Sequence, residues 1–149
     1  ERIYNELTSM PPSALLSKSL LALNLIELLS QYQSGRLHKK GTHKRFDRFL
    51  KEHTFLHEEQ RSILYLFRNA VIHNGGAYAS TKNGSVYRFK LNDSIVLIEK
   101  ESRIFYSIGI AALELLLQSI LESVADALQR SSDYRSRFLK VHKAIGCSN

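Results

Sequence analysis

The sequence predicts a mainly α-helical bundle with a β-hairpin or small meander inserted near residues 77 to 100. Three observations carry this. Apolar residues recur at helical spacing in two long stretches, Ala14 to Leu29 and Ile104 to Leu128. A shorter helical pattern closes on Asn74-Gly75-Gly76, a strong stop. From Tyr78 the pattern turns to short β-type runs separated by turn residues. At 149 residues the chain fits one domain, 1–149, with enough length for its own core. The first residue is Glu1 rather than Met, which reads as a fragment or a processed form.

Pro11 and Pro12 end what precedes them, and Pro12 suits the first turn of the next helix. Leu15, Leu16, Leu20, Leu23, Leu25, Ile26, Leu28 and Leu29 give that helix a wide apolar surface, and Gly35 ends it. Residues 33 to 42 hold two glycines and many charges and are expected to be a loop. Thr42 to His53 reads as a basic helix burying Phe46, Phe49 and Leu50. Thr54 is the expected N-cap of a third helix, with Glu58 and Glu59 in its first turn to complement the helix dipole. Ile63, Leu64, Leu66, Phe67, Ala70 and Val71 form its apolar part.

Tyr78 to Thr81, Val86 to Lys90 and Ile95 to Glu99 are the expected strands. Lys82-Asn83-Gly84-Ser85 carries the Asn-Gly pair of a tight hairpin, and Asn92-Asp93-Ser94 is a second turn. Ile104 to Leu128 then reads as the longest helix, and Ser132-Asp133 as the cap of a last helix reaching about Ala144. No repeat, low-complexity tract or interdomain linker interrupts the chain.

Composition is that of a folded globular chain, with 44% hydrophobic and 23% charged residues. A single cysteine, Cys147, excludes an internal disulfide framework and points to a reducing, cytoplasmic setting. Both long apolar stretches are broken by polar or charged residues, so neither reads as a membrane span, and no signal peptide is visible. Net charge is +7 and pI about 9.6, a balance that favours polyanionic partners. Arg36, Lys39, Lys40, Lys44, Arg45, Arg48 and Lys51 are opposed by only Asp47 and Glu52, and a second group comprises Arg130, Arg135, Arg137, Lys140 and Lys143. Such runs are ordinarily solvated faces; they are also what a nucleic-acid backbone track requires.

The chemistry concentrates in Leu66-Phe67-Arg68-Asn69-Ala70-Val71-Ile72-His73-Asn74-Gly75. On a helix, Asn69 and His73 share a face, whereas Arg68 and His73, five apart, diverge. One undistorted helix would not aim both at one phosphate; two copies packed antiparallel could. RNA can be cut without a metal because its own 2′-OH attacks the neighbouring phosphorus. That requires a side chain able to move protons near neutral pH, which suits His73. It also requires a cationic donor for charge developing on phosphoryl oxygens, which suits the planar fork of Arg68. Asn69 is placed to orient His73 or to bond the phosphate or sugar.

The segment resembles the R-x4-6-H motif of HEPN domains, in which a polar residue, often Asn, follows the Arg. Arg68, Asn69 and His73 match it with four intervening residues, and Asn74-Gly75 resembles the usual exit from the motif helix. The resemblance covers about ten residues plus the order of long helices around them, and the hairpin at 77 to 100 would be an elaboration of the minimal four-helix bundle. It implies a homodimer with facing motifs and an endoribonuclease leaving 2′,3′-cyclic phosphate ends. It also implies a toxin–antitoxin or antiviral defence setting, with an antitoxin or effector partner. Some HEPN domains are instead non-catalytic modules for dimerisation and for RNA, nucleotide or partner binding. On this reading Lys39, Lys40, Lys44, Arg45 and Arg48 guide RNA and Tyr78 is placed to stack on a base; no cofactor is called for.

Other groupings are weaker. His53 and His57 are four apart, but no third ligand completes a metal site and a helix start between them would separate them. Glu58-Glu59 is better explained as dipole complement than as an acid–base pair. Gly75-Gly76 follows a helix and is no phosphate loop, and no serine sits in a nucleophile elbow.

Overall fold

The computed structural model describes residues 2, 5, 14–36, 40–76 and 78–145. The assignments made for Pro11, Pro12, Lys39 and Cys147 lie outside the described residues. Among the described residues, helices and a four-stranded sheet share one core: α1 (Leu15–Ser34), α2 (Thr42–His53), α3 (Glu58–Asn74), β1 (Tyr78–Ser80), β2 (Val86–Asn92), β3 (Ile98–Ser102), β4 (Phe105–Gly109), α4 (Ile110–Arg130) and α5 (Ser132–Ala144). Leu23 and Ile26 of α1, Phe46, Phe49 and Leu50 of α2, and Leu64 and Phe67 of α3 are fully buried, together with Ile108, Ile110, Leu113, Leu117 and Ile120. Among the described residues, no helix is long and apolar enough to cross a membrane.

Helix stops follow the glycines. Gly35 and Gly75 take left-handed φ of 68° and 63° after α1 and α3. The amide of Gly76 donates to the Ala70 carbonyl at 2.8 Å, closing α3 with a hydrogen bond that reaches back six residues. Two caps differ from expectation. Thr54 closes α2 instead of opening α3: its amide and hydroxyl both donate to the Leu50 carbonyl, at 2.9 and 2.5 Å. The start of α3 falls to His57, whose amide donates to Gln60 Oε1 at 2.8 Å. For α5 the N-cap is Ser131, whose Oγ accepts from the Tyr134 amide at 3.1 Å.

The sheet corrects the sequence reading most. Its order is β1-β2-β4-β3, with β2 and β4 parallel and the other pairs antiparallel, so it is a mixed sheet and not a meander. The third strand runs Ile98–Ser102, three residues beyond the expected start, and Phe105–Gly109, expected as helix, is the fourth strand. Its residues Tyr106, Ser107 and Ile108 are buried, so an apolar run covered on two sides reads like the start of the apolar helix that follows. The segment between β2 and β3 crosses the end of β4 at Gly109, where an added Cβ would lie 2.1 Å from the Val96 carbonyl oxygen and 2.5 Å from that of Ser94. That close pass also caps α4, because the Ala112 amide donates to the Ser94 carbonyl at 3.1 Å. The β1–β2 turn differs too: among the described residues no non-glycine has positive φ, so Asn83 is not in a mirror-image turn. Gly84, at φ 85°, alone takes the left-handed position, and the Thr81 amide donates to the Ser85 carbonyl at 2.8 Å.

Candidate functional site

Helix α3 runs antiparallel to α2. The pair is locked by Arg61, whose Nε donates to Asp47 Oδ1 at 2.7 Å and whose Nη1 donates to the Leu56 carbonyl at 2.9 Å. Beyond α3, the Asn74 side-chain amide donates to the Tyr78 carbonyl at 3.0 Å and so ties the helix end to β1. Between these two elements opens a cleft of about 610 Å³ whose walls include Arg68, Asn69, His73 and Asn74 from α3 and Tyr78, Ala79 and Ser80 from β1. Thr42 and Tyr65 complete it. The three motif residues and Tyr78 therefore share one cleft.

Helical geometry explains how a single chain achieves this. Tyr65, Asn69 and His73 fall four residues apart along one stripe, and Arg68 lies to one side of it, about 140° from His73 around the axis. The cleft is wide enough to wrap that arc, so both reach it without a distorted helix and without a second copy.

Each side chain has distinct surroundings. Arg68 is largely buried, and its Nε and Nη2 donate to Glu27 Oε2 of α1 at 2.8 and 2.5 Å. The remaining terminal nitrogen, Nη1, donates to Asn69 Oδ1 at 2.8 Å. The guanidinium also lies over the Tyr65 ring, 5.8 Å from its centroid. Glu27 thus fixes the plane of Arg68, and Arg68 in turn fixes the Asn69 amide. His73, in the last turn of α3, is exposed and has no hydrogen bond among the described residues. Tyr78 is 46% exposed, enough to present a ring face to a ligand.

The basic residues expected to guide RNA separate. Lys44 lines a second cleft beside the first. Lys40 is exposed, and its carbonyl accepts from Arg45 Nη1 at 2.7 Å. Arg45 is folded back on that loop, with Nη2 also 3.4 Å from Thr42 Oγ1, so it braces the start of α2 and does not reach outward. Arg48 is exposed and lines neither cleft. The residues that sequence reasoning missed are Glu27 and Tyr65. Glu27 sits on the mostly apolar helix α1, and only its contact across the fold distinguishes it.

His53 and His57 do not pair. His53 Nδ1 lies 2.8 Å from Ser123 Oγ and Nε2 lies 2.6 Å from Gln33 Oε1 and 3.2 Å from the Tyr134 hydroxyl. Burial lowers the His53 pKa below its ordinary value, against an opposing pull from Glu52. Tyr134 is pushed up to about 12, first by burial and then by Glu52, with Arg137 acting the other way. This cluster is a structural joint between α1, α2, α4 and α5.

No family model, no curated protein and no solved structure matches this chain.

Proposed function

We propose that the chain is a HEPN-type, metal-independent endoribonuclease that holds its scissile phosphate between the end of α3 and β1. The observation that carries this reading is the gathering of Arg68, Asn69 and His73 in one cleft whose lining, among the described residues, includes no carboxylate. In the proposed step the substrate 2′-OH loses its proton, its oxygen forms a bond to phosphorus, and the P–O5′ bond breaks. The 5′-oxygen takes up a proton, leaving a 2′,3′-cyclic phosphate and a 5′-OH. His73 serves as general base or general acid, because its exposed ring is open to substrate on a proton-transfer path. Arg68 meets the charge that builds on the phosphoryl oxygens, and Asn69 holds the phosphate or sugar. A homodimer with facing motifs would supply the complementary acid or base from a second His73; in the single chain, water takes that part. A defence setting with a restraining partner belongs to the same reading.

One observation favours a second reading, in which the chain is a non-catalytic HEPN module that binds RNA, a nucleotide or a partner protein. Glu27 already occupies two of the Arg68 donors. The test is incubation with mixed RNA in EDTA beside His73→Ala and Arg68→Ala, with product ends identified. Cleavage to cyclic phosphates by the parent alone supports the catalytic reading. Binding without turnover selects the module.

A further inference from the structure

The cleft holding Arg68 and His73 does not end at Tyr65. A second open cleft, of about 860 Å³, continues from it, and the two share Thr42, Tyr65, Asn69 and Ser80. Its remaining walls come from the start of α2 (Gly41, His43, Lys44), from Ser62 and Leu66 of α3, and from the turn after β1 (Thr81, Lys82). Each cleft falls within the range of about 300–1,000 Å³ that accommodates a small ligand unit. Among the described residues, neither lining contains a carboxylate.

We propose that this second cleft is a phosphate subsite for the flanking part of the same strand. Its ligand is then an oligonucleotide spanning both clefts, and not a mononucleotide; this rests on the endoribonuclease reading of the first cleft. Three observations support it. Lys44 and Lys82 reach the cleft from different elements, and their repulsion is not offset by any acid among the described lining residues. Two nearby carboxylates are held elsewhere: Asp47 by Arg61 and Glu27 by Arg68. The wall between the two clefts is aromatic, because the His43 ring stacks on Tyr65 with centroids 4.3 Å apart and planes 10° from parallel. His43 is exposed, so its outer face can take a base beyond that stack. Alternating cationic and aromatic surface along a groove is what a single strand of linked phosphates and bases needs.

The test is fluorescence anisotropy with labelled 2′-O-methyl oligonucleotides of one, two, four and eight nucleotides, which cannot undergo 2′-OH attack. Affinity should rise in a step between one and four nucleotides. In Lys44→Ala/Lys82→Ala that step should disappear, and the salt dependence of octamer binding should fall by about 1.4 in log–log slope. Nucleoside 3′-phosphate binding should be unchanged. Equal slope and affinity in the double variant would overturn the subsite, as would equal displacement of the octamer by polyglutamate of matched charge. If the parent never cleaves unmethylated RNA but the lysine-dependent step persists, the nuclease reading fails and the subsite stands. If the parent cleaves RNA but shows no such step, the subsite fails and the nuclease reading stands.

Discussion

His53 and His73 occupy the same kind of place, the last turn of a helix, where the dipole favours a cation. Their surroundings are opposite. His53 is clasped by Ser123, Gln33 and Tyr134, with both ring nitrogens engaged. His73 is exposed on the wall of a cleft beside Asn69 and Arg68, with no hydrogen bond among the described residues. A histidine's readiness for chemistry is thus set by what the rest of the fold packs against it, and not by its position along a helix. The first histidine joins four helices; the second has an open ring.

Substitution should separate these two roles. The largest effect expected is on cleavage: His73→Ala should lower the rate by about 10²–10⁴-fold, the usual worth of a general acid or base, with an unchanged melting temperature. Cleavage at the parental rate would remove His73 from the mechanism. Glu27→Ala comes next. It leaves the largely buried Arg68 guanidinium without its partner, and chemical denaturation should register a loss of about 3 kcal/mol. Glu27→Gln, which keeps an acceptor, should lose less of both stability and activity. If Glu27→Ala cleaves faster than the parent at a temperature where both are folded, the carboxylate restrains Arg68 and does not position it.

His53→Ala should be the mirror of His73→Ala. Losing the ring leaves Ser123 Oγ without its partner and opens space beside Phe49, while Gln33 and Tyr134 keep their bond to each other; this should cost about 1–3 kcal/mol of stability while cleavage per folded molecule stays at the parental level. Loss of cleavage at full stability would invert the comparison. The smallest effect is on pH. Burial lowers the folded pKa of His53 below its ordinary 6.5, so the unfolded chain binds the proton first as pH falls. His53 therefore contributes stability that is complete above about 6.5 and is lost as pH drops through that value toward the folded pKa. Denaturation of parent and His53→Gln at pH 7.5 and 5 should show a steeper acid-side decline in the parent.

Much of the helical frame was legible in sequence, because amphipathic spacing and left-handed glycine stops are local. The basic helix from Thr42 to His53, the stop at Gly35 and the exit at Asn74-Gly75 all stand as read. The strand Phe105–Gly109 was not legible, since a strand buried among neighbours has the same apolar run as the helix after it. Nor was the parallel β2–β4 pairing, which depends on a connection crossing over Gly109.

The same division holds at the site. Sequence determined the residue types and their order along α3: Arg68, Asn69 and His73 at the end of a helix stopped by glycine. Tertiary structure decided which of them have partners. It brought Glu27 of α1 to Arg68, turned Arg45 inward onto Lys40 and Thr42, and set β1 opposite α3 so that residues diverging around a helix face one cleft. Local sequence encodes backbone shape because those interactions span only a few residues. Partners of charged side chains lie 41 residues apart for Glu27 and Arg68, and only the folded core brings them within hydrogen-bonding reach.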